Sequence, residues 1–188
     1  MKNVFSANSI RTEDKYKVLG DFIQFVSDNP EYEGELEQTV QYFSVEGNGL
    51  VYEKLGEYYI TKGRKEDALK FYELGVEKDE DNFSLVKNTI LLQIEFEKYP
   101  EAVVLSDSAL EIFPAQPILY LLNGVANNKS NQHDNAIESL LTGVDYVFEN
   151  PTMEKDFYKQ LEIAYLAKND PEKAKRYAQL AAQIQDPN

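Results

Sequence analysis

The sequence contains no cysteine and no tryptophan, and only one histidine and two methionines among 188 residues. Without cysteine there is no disulfide and no thiolate metal site, and the chain suits either a reducing or an oxidising compartment. The lone His133 falls in a stretch that reads as a turn, Asn131-Gln132-His133-Asp134, with no convergent partners for catalysis or metal binding. Basic residues are also scarce: 19 Lys and Arg against 33 Asp and Glu leave a formal charge of −14. That deficit argues against non-specific nucleic-acid binding, which needs cations to neutralise phosphates, and against an anionic membrane surface. It suits solubility, or a basic partner. No run approaches the roughly 18 apolar residues of a membrane span. Met1-Lys2-Asn3-Val4-Phe5-Ser6 has no sustained apolar stretch of the secretory kind. There is no Gly-rich phosphate loop, and Glu77-Lys78-Asp79-Glu80-Asp81 lacks the ligand spacing of a calcium loop. Glu31, Glu33, Glu35 and Glu37 alternate, which spreads their charges around a helix rather than converging them. No catalytic residue, cofactor or metal is therefore expected.

What is present is a folded composition with 13 Tyr and 10 Phe to fill a core, and a repeat. Ala68, Ala102 and Ala136 follow one another at steps of 34 residues, and so do Gly75, Ala109 and Gly143. Each pair is seven residues apart, two helical turns, so its members share one face and let two backbones approach closely. Ala174 and Ala181 repeat the pair after a step of 38. Upstream of the first pair, Tyr52, Leu55, Gly56 and Tyr59 form an amphipathic stripe. Val86 with Ile90, Tyr120 with Gly124, and Tyr158 with Leu161 and Tyr165 belong to the corresponding later helices. Short breakers separate the helices of each unit: Lys62-Gly63-Arg64, Tyr99-Pro100-Glu101, Asn131 to Asp134, and Asn169-Asp170-Pro171-Glu172.

Leu55-Gly56, Tyr59, Ala68, Tyr72 and Gly75 resemble the tetratricopeptide consensus W-x2-L-G-x2-Y…A-x3-F, with Tyr52 in place of Trp and Tyr72 in place of Phe. Pro114 stands at the terminal Pro position of the second unit. The resemblance implies an all-α, right-handed superhelix of stacked antiparallel helix pairs, an α-solenoid of about ten helices. Its expected divisions are a leader at 1–12, a degenerate helix pair at 13–48, and units at 49–82, 83–116, 117–150 and 151–188. The last should have a longer first helix, capped by Asn150 with Pro151 at its first position. In the degenerate pair the stripes are Tyr16, Leu19, Ile23 and Val26, then Tyr32, Leu36, Val40 and Phe43, with Asn29-Pro30 between. The leader is expected to pack through Phe5 and Ile10. Thr89, Gln93, Asn123 and Asn127 depart from the family's Leu and Tyr positions. The stretch from Phe113 to Asn128, followed by Glu149-Asn150-Pro151, is similar to C-terminal arrays of bacterial tetratricopeptide proteins, largely from Bacteroidetes. Many members of that group carry an export signal to the periplasm or cell envelope.

In this family the first helix of each unit lines a concave protein-binding groove. Carried over, the groove positions are Glu53, Glu57 and Ile60; Lys87, Leu91 and Ile94; Leu121, Val125 and Asn128; and Lys159, Ile163 and Leu166. The family's two-carboxylate clamp is not reproduced, because Leu91 and Leu122 replace two Asn, and Asp156 and Gln160 replace two cations. The expectation is a non-catalytic scaffold holding a protein or peptide, with an apolar helix or extended segment as the fitting ligand. The alternative is a structural spacer or a self-association module of a larger protein. The last helix bears Tyr177, Leu180, Ala181 and Ile184 on one face, which would place a further helix or a second copy of the chain against it. Residues 155–188 carry six cations against five acids, so this end is +1 in an acidic chain, an asymmetry expected to orient a partner or a second copy.

Overall fold

A computed structural model describes residues 10–43 and 49–185. Among the described residues there are ten α-helices and no strand: α1 Thr12–Asp28, α2 Glu33–Phe43, α3 Leu50–Thr61, α4 Lys65–Val76, α5 Phe83–Glu95, α6 Tyr99–Ile112, α7 Pro117–Lys129, α8 His133–Val144, α9 Pro151–Ala167 and α10 Pro171–Gln183. The fold class is all-α, built of consecutive antiparallel pairs. The chain forms two compact units, one ending at Thr89 and one starting at Ile90.

In the first unit α3 packs on α4, and α1 rests on both α2 and α3. The small positions explain how closely α3 and α4 approach. Ala68 is fully buried. A Cβ on Gly56 would enter the ring of Tyr72, and one on Gly75 would lie 2.9 Å from both Tyr52 Cβ and a Leu85 methyl. Leu55 and Tyr59, one turn apart, complete the core at zero exposure. In α1 the buried face runs through Leu19, Phe22 and Val26, so Phe22 joins the stripe while Tyr16 and Ile23 flank it half-buried. Tyr32 departs from its expected place. It lies in a short 3-10 turn, Pro30–Tyr32, before α2 and is exposed against Phe25 at a ring separation of 5.3 Å. Asn29-Pro30 is the cause: a residue before Pro is disfavoured in the helical region. Of the leader, Ile10 is half-buried, while Phe5 lies outside the described residues.

The second unit repeats the arrangement: α7 packs on α8 and α9 on α10, and α6–α7, α8–α9 and α7–α9 contacts join successive pairs. Ala102, Ala109, Ala136, Ala174 and Ala181 are all buried. A Cβ on Gly124 would strike Leu140, and one on Gly143 would strike Tyr120 and Phe157. The core centres on Leu140, Phe157, Leu161 and Ala164, each with zero exposure. Asn150 caps α9 as expected, its side-chain oxygen accepting from the Met153 N–H at 3.0 Å. The helix is four residues longer than α7, 17 against 13.

One backbone turn recurs between the helices of the last four pairs. Gly63, Glu97, Asn131 and Asn169 have φ of 71°, 59°, 58° and 57°, spaced by the steps of the sequence repeat. In each case this residue donates to the carbonyl three back (Gly63 to Ile60, Glu97 to Ile94). The next residue donates to the carbonyl five back (Arg64 to Tyr59, Lys98 to Gln93). That is the Schellman closure, in which a left-handed residue satisfies the last carbonyls of a helix. It corrects the second breaker: Tyr99-Pro100-Glu101 lies inside α6, and the turn falls at Glu97, a residue with no turn signal of its own. It also places His133 at the first position of α8 rather than in the turn.

Ala136→Leu and Ala102→Leu should each destabilise by about 1–3 kcal/mol, because extra methylenes have no room at a close crossing; thermal denaturation checks this, and unchanged midpoints would refute the crossing. Glu97→Gly should stabilise by about 1 kcal/mol by removing a left-handed non-glycine residue, read as a rise in the denaturation midpoint.

Candidate binding face

In the first unit Glu53, Glu57 and Ile60 lie on α3 and Lys87 on α5. Glu53 is half-buried and accepts from the Asn82 side chain at 2.9 Å. Glu57 is exposed and pairs with Lys54 at 3.2 Å. Ile60 is 38% exposed. Lys87 is half-buried, its ammonium 5.9 Å from the Phe83 ring centre. Burial, followed by the charges of Glu57 and Glu53, raises the Tyr72 hydroxyl pKa to about 12. The first unit therefore offers an acidic face with one aliphatic side chain.

A second cluster in this unit was not legible from the alternating carboxylates. Glu33 and Glu37, one turn apart on α2, both reach α3. Tyr58 donates to Glu33 at 2.9 Å and Tyr59 to Glu37 at 2.6 Å. Arg64 bridges Glu33 and Asp67, and its guanidinium lies 4.6 Å from the Tyr59 ring centre. Tyr59 in turn stacks on Phe71 at 5.3 Å. Burial and then the bond to Glu33 push Tyr58 up to about 12, and Tyr59 is raised further for the same kinds of reason. These carboxylates are structural bonds between helices. The signal that could have found them is the i, i+4 spacing of Glu33 and Glu37, which puts both on one face.

In the second unit the expected positions lie on α5, α7 and α9. Leu91 is 42% exposed and Ile94 half-buried on α5. Leu121 and Val125 are half-buried on α7. On α9 Ile163 and Leu166 are 48% and 55% exposed, and the exposed Lys159 pairs with Asp156 at 3.3 Å. Asn128 is only 7% exposed. Its amide donates to the backbone and side-chain oxygens of Gln160 at 3.0 and 3.2 Å, tying α7 to α9. His133 Nδ1 lies 3.4 Å from the Asn128 side-chain oxygen. Asn128 thus holds the two helices in register and presents little of itself to a ligand.

A sequence model of the tetratricopeptide repeat matches residues 50–82. Those residues are a tetratricopeptide repeat, and the chain has the fold of proteins built from them. Its similar solved structures include MamA from Desulfovibrio magneticus RS-1, at 17% identity and a TM-score of 0.70, covering 93% of this chain and 98% of that one. A further MamA crystal structure aligns at 16% identity and 0.70, covering 89% and 90%. YrrB, described as a tetratricopeptide protein with an unusual peptide-binding site, aligns at 17% and 0.67, covering 88% and 84%. These likenesses concern the fold. No curated protein matches the sequence. Among the described residues no helix is long and apolar enough to cross a membrane.

The tetratricopeptide register also locates the consensus departures. Thr89, Gln93, Asn123 and Asn127 stand where the repeat carries Leu and Tyr, and all four are buried. Thr89 turns its hydroxyl back to the Leu85 carbonyl at 2.7 Å, and the Asn123 amide donates to Ser106 and Asp107. Buried polar groups need such partners, so Thr89 and Asn123 exchange apolar filling for hydrogen bonds.

Tyr58, Tyr72 and Tyr158 should form phenolates near pH 12 in the folded protein, against about 10 when unfolded. A raised folded pKa stabilises below the unfolded value. The contribution is therefore intact below about pH 10 and is lost as pH rises towards 12. Spectrophotometric titration, with Tyr58→Phe removing one of the late-titrating groups, checks this; phenolates all forming near pH 10 in the folded state would contradict it.

Proposed function

We propose that the chain is a non-catalytic scaffold that holds a protein partner on the first helices of its repeats. The ligand is an apolar face, either an amphipathic helix or an extended segment. The observation that carries this reading is the aliphatic exposure on α9: Ile163 and Leu166 point outward at about half exposure although the same helix buries Phe157, Leu161 and Ala164 completely. Exposed side chains of this kind, one turn apart on a helix held rigid by its core, suit the helix-in-groove mode. Leu91, Ile94, Leu121 and Val125 supply further aliphatic surface, and Lys159, paired with Asp156, a charge beside it. On the first unit the same proposal gives Glu53 and Glu57 as acidic contacts, Ile60 as an aliphatic one and Lys87 as a basic one. The kinship of fold with YrrB, whose description names a peptide-binding site, supports the class of ligand and no particular sequence.

The proposal is tested with an immobilised library of amphipathic helical peptides. Ile163→Asp with Leu166→Asp should weaken binding of the selected peptides at least about tenfold, roughly 1.4 kcal/mol, while the thermal midpoint stays within about 1 °C, since substitutions at exposed positions rarely change stability. Peptides retained equally by the double variant would remove the α9 face from the site. If the chain instead self-associates through that face, light scattering would show a size that rises with concentration and falls in the double variant.

A further inference from the structure

The last and first described helices carry exposed faces of opposite charge. On α10 the face is set by the repeat. Ile137 and Val144 of α8 pack against the core that includes Phe157 and Leu161 of α9. The step of 38 residues that carries Ala136 to Ala174 carries these two to Lys175 and Ala182, and Leu141 to Gln179. Lys175, Gln179 and Ala182 are exposed and Ala178 is half-buried. Where α8 offers branched aliphatics to the following helix, α10 offers small residues and a cation. The helix carries Lys173, Lys175 and Arg176 against one acid, Glu172. Lys159, Lys168 and Lys173 are paired with Asp156, Asp134 and Asp170. Lys175 and Arg176 have no ion pair among the described residues, and the guanidinium lies 6.0 Å from the Tyr177 ring centre.

On α1 the exposed face is acidic and aromatic. Asp14, Asp21 and Asp28 recur every seven residues and are all exposed. Val18 and Phe25 stand four residues after the first two, so the two rows share one side of the helix. Phe25 is 46% exposed, and its ring lies 6.3 Å from that of Phe22 and 5.3 Å from that of the exposed Tyr32. Asp14 is paired with Arg11 at 3.0 Å. The side chains of Asp21 and Asp28 have no hydrogen bond or ion pair among the described residues. Lys17 is the exposed cation of this helix. The face thus presents a large ring between two unpaired carboxylates.

We propose that α10 receives α1 of a second copy of the chain, joining copies head to tail. Ala178 and Ala182, one turn apart, leave room for a large side chain, and Phe25 supplies one, as a large residue meets a small one at the crossings inside each pair. Asp21 and Asp28 flank that ring about 10 Å apart along the helix and meet Lys175 and Arg176. Exposed ion pairs add little energy singly. Their effect is on the choice of partner face: α10 against α10 would oppose cations, and α1 against α1 would oppose carboxylates, so only the unlike pairing is complementary. Such a contact is heterologous and leaves each copy able to accept another, which builds rings or open chains. It uses neither Ile163 nor Leu166 and stands apart from the α9 face.

The test is sedimentation velocity of the full chain and of two charge-reversed variants, Lys175→Glu with Arg176→Glu and Asp21→Lys with Asp28→Lys. The wild-type chain should grow in size with concentration at low salt, and association should weaken about tenfold or more near 1 M salt, where charges are screened within about 3 Å. Each reversed variant alone should stay monomeric. Mixed together, the two present complementary faces again and should recover association, which a variant that merely folds badly would not do. All four positions are exposed, so the thermal midpoints should stay close to that of the wild type. Ile163→Asp with Leu166→Asp should leave the association unchanged. A wild-type chain that remains monomeric at low salt, association insensitive to salt, a reversed variant that associates as the wild type does, or a mixture that fails to recover would overturn the proposal. Association lost in the α9 double variant and kept in the reversed ones would place the contact on α9 and overturn it equally.

Discussion

The close crossing of paired helices is the constraint on which the rest of the structure depends. Two helices with large residues at their contact sit well apart, and interaxial distance tracks the side chains at the crossing. Here Gly56 faces Tyr72, Gly75 faces Tyr52, Gly124 faces Leu140 and Gly143 faces Tyr120. Each contact sets a small residue against a large one, so the ring or branched chain of one helix occupies the volume its neighbour leaves empty. Proximity brings the remaining apolar residues into contact and gives the core its depth. It also explains why the small positions recur at the repeat step while the large ones vary among Tyr, Leu and Phe.

The second unit departs from an all-apolar filling at defined places. Asn123, Asn127 and Ser106 occupy buried sites and hold one another, with Asp107 closing the chain of bonds at the surface. An apolar core tolerates many packings of similar energy, whereas a connected polar network accepts few. The network fixes α7 against α6, and Asn128 with Gln160 does the same between α7 and α9. The face of α7 that carries Leu121 and Val125 is therefore held on a helix whose rotation is specified by hydrogen bonds.

Much of this architecture was legible because it is periodic. Ala68, Ala102, Ala136 and Ala174 mark the crossings by their spacing alone, and Asn150-Pro151 marks the start of the long helix. The features that were not legible depend on pairing across elements or on local φ. Nothing in Glu97 announces a left-handed residue, because the position is dictated by where the helix must end and not by the side chain's preference. Glu33 and Glu37 read as solvated charge because their partners, Tyr58 and Tyr59, lie more than twenty residues away. Asn128 was assigned to the binding surface by its repeat position, yet the opposing Gln160 turns it into an internal tie. Exposure at Ile163 and Leu166 follows their repeat position on the groove and not their aliphatic identity, which elsewhere signals burial.

The four additional residues of α9 illustrate a rule of angular phase. Each helical residue advances about 100°, so four advance about 400°, a net rotation of only 40°. The added turn therefore continues the stripe below it: Met153 packs against the same core as Phe157, and the Glu154 carboxylate accepts from Tyr158 at 2.8 Å. An extension of two residues would have ended the helix about 200° away, pointing its first apolar side chain into solvent and its cap towards the core. A helix anchored at one end by a fixed turn can lengthen at the other only by nearly whole turns. A length variant of this repeat should be tolerated in steps of four, or of seven, and resisted between them.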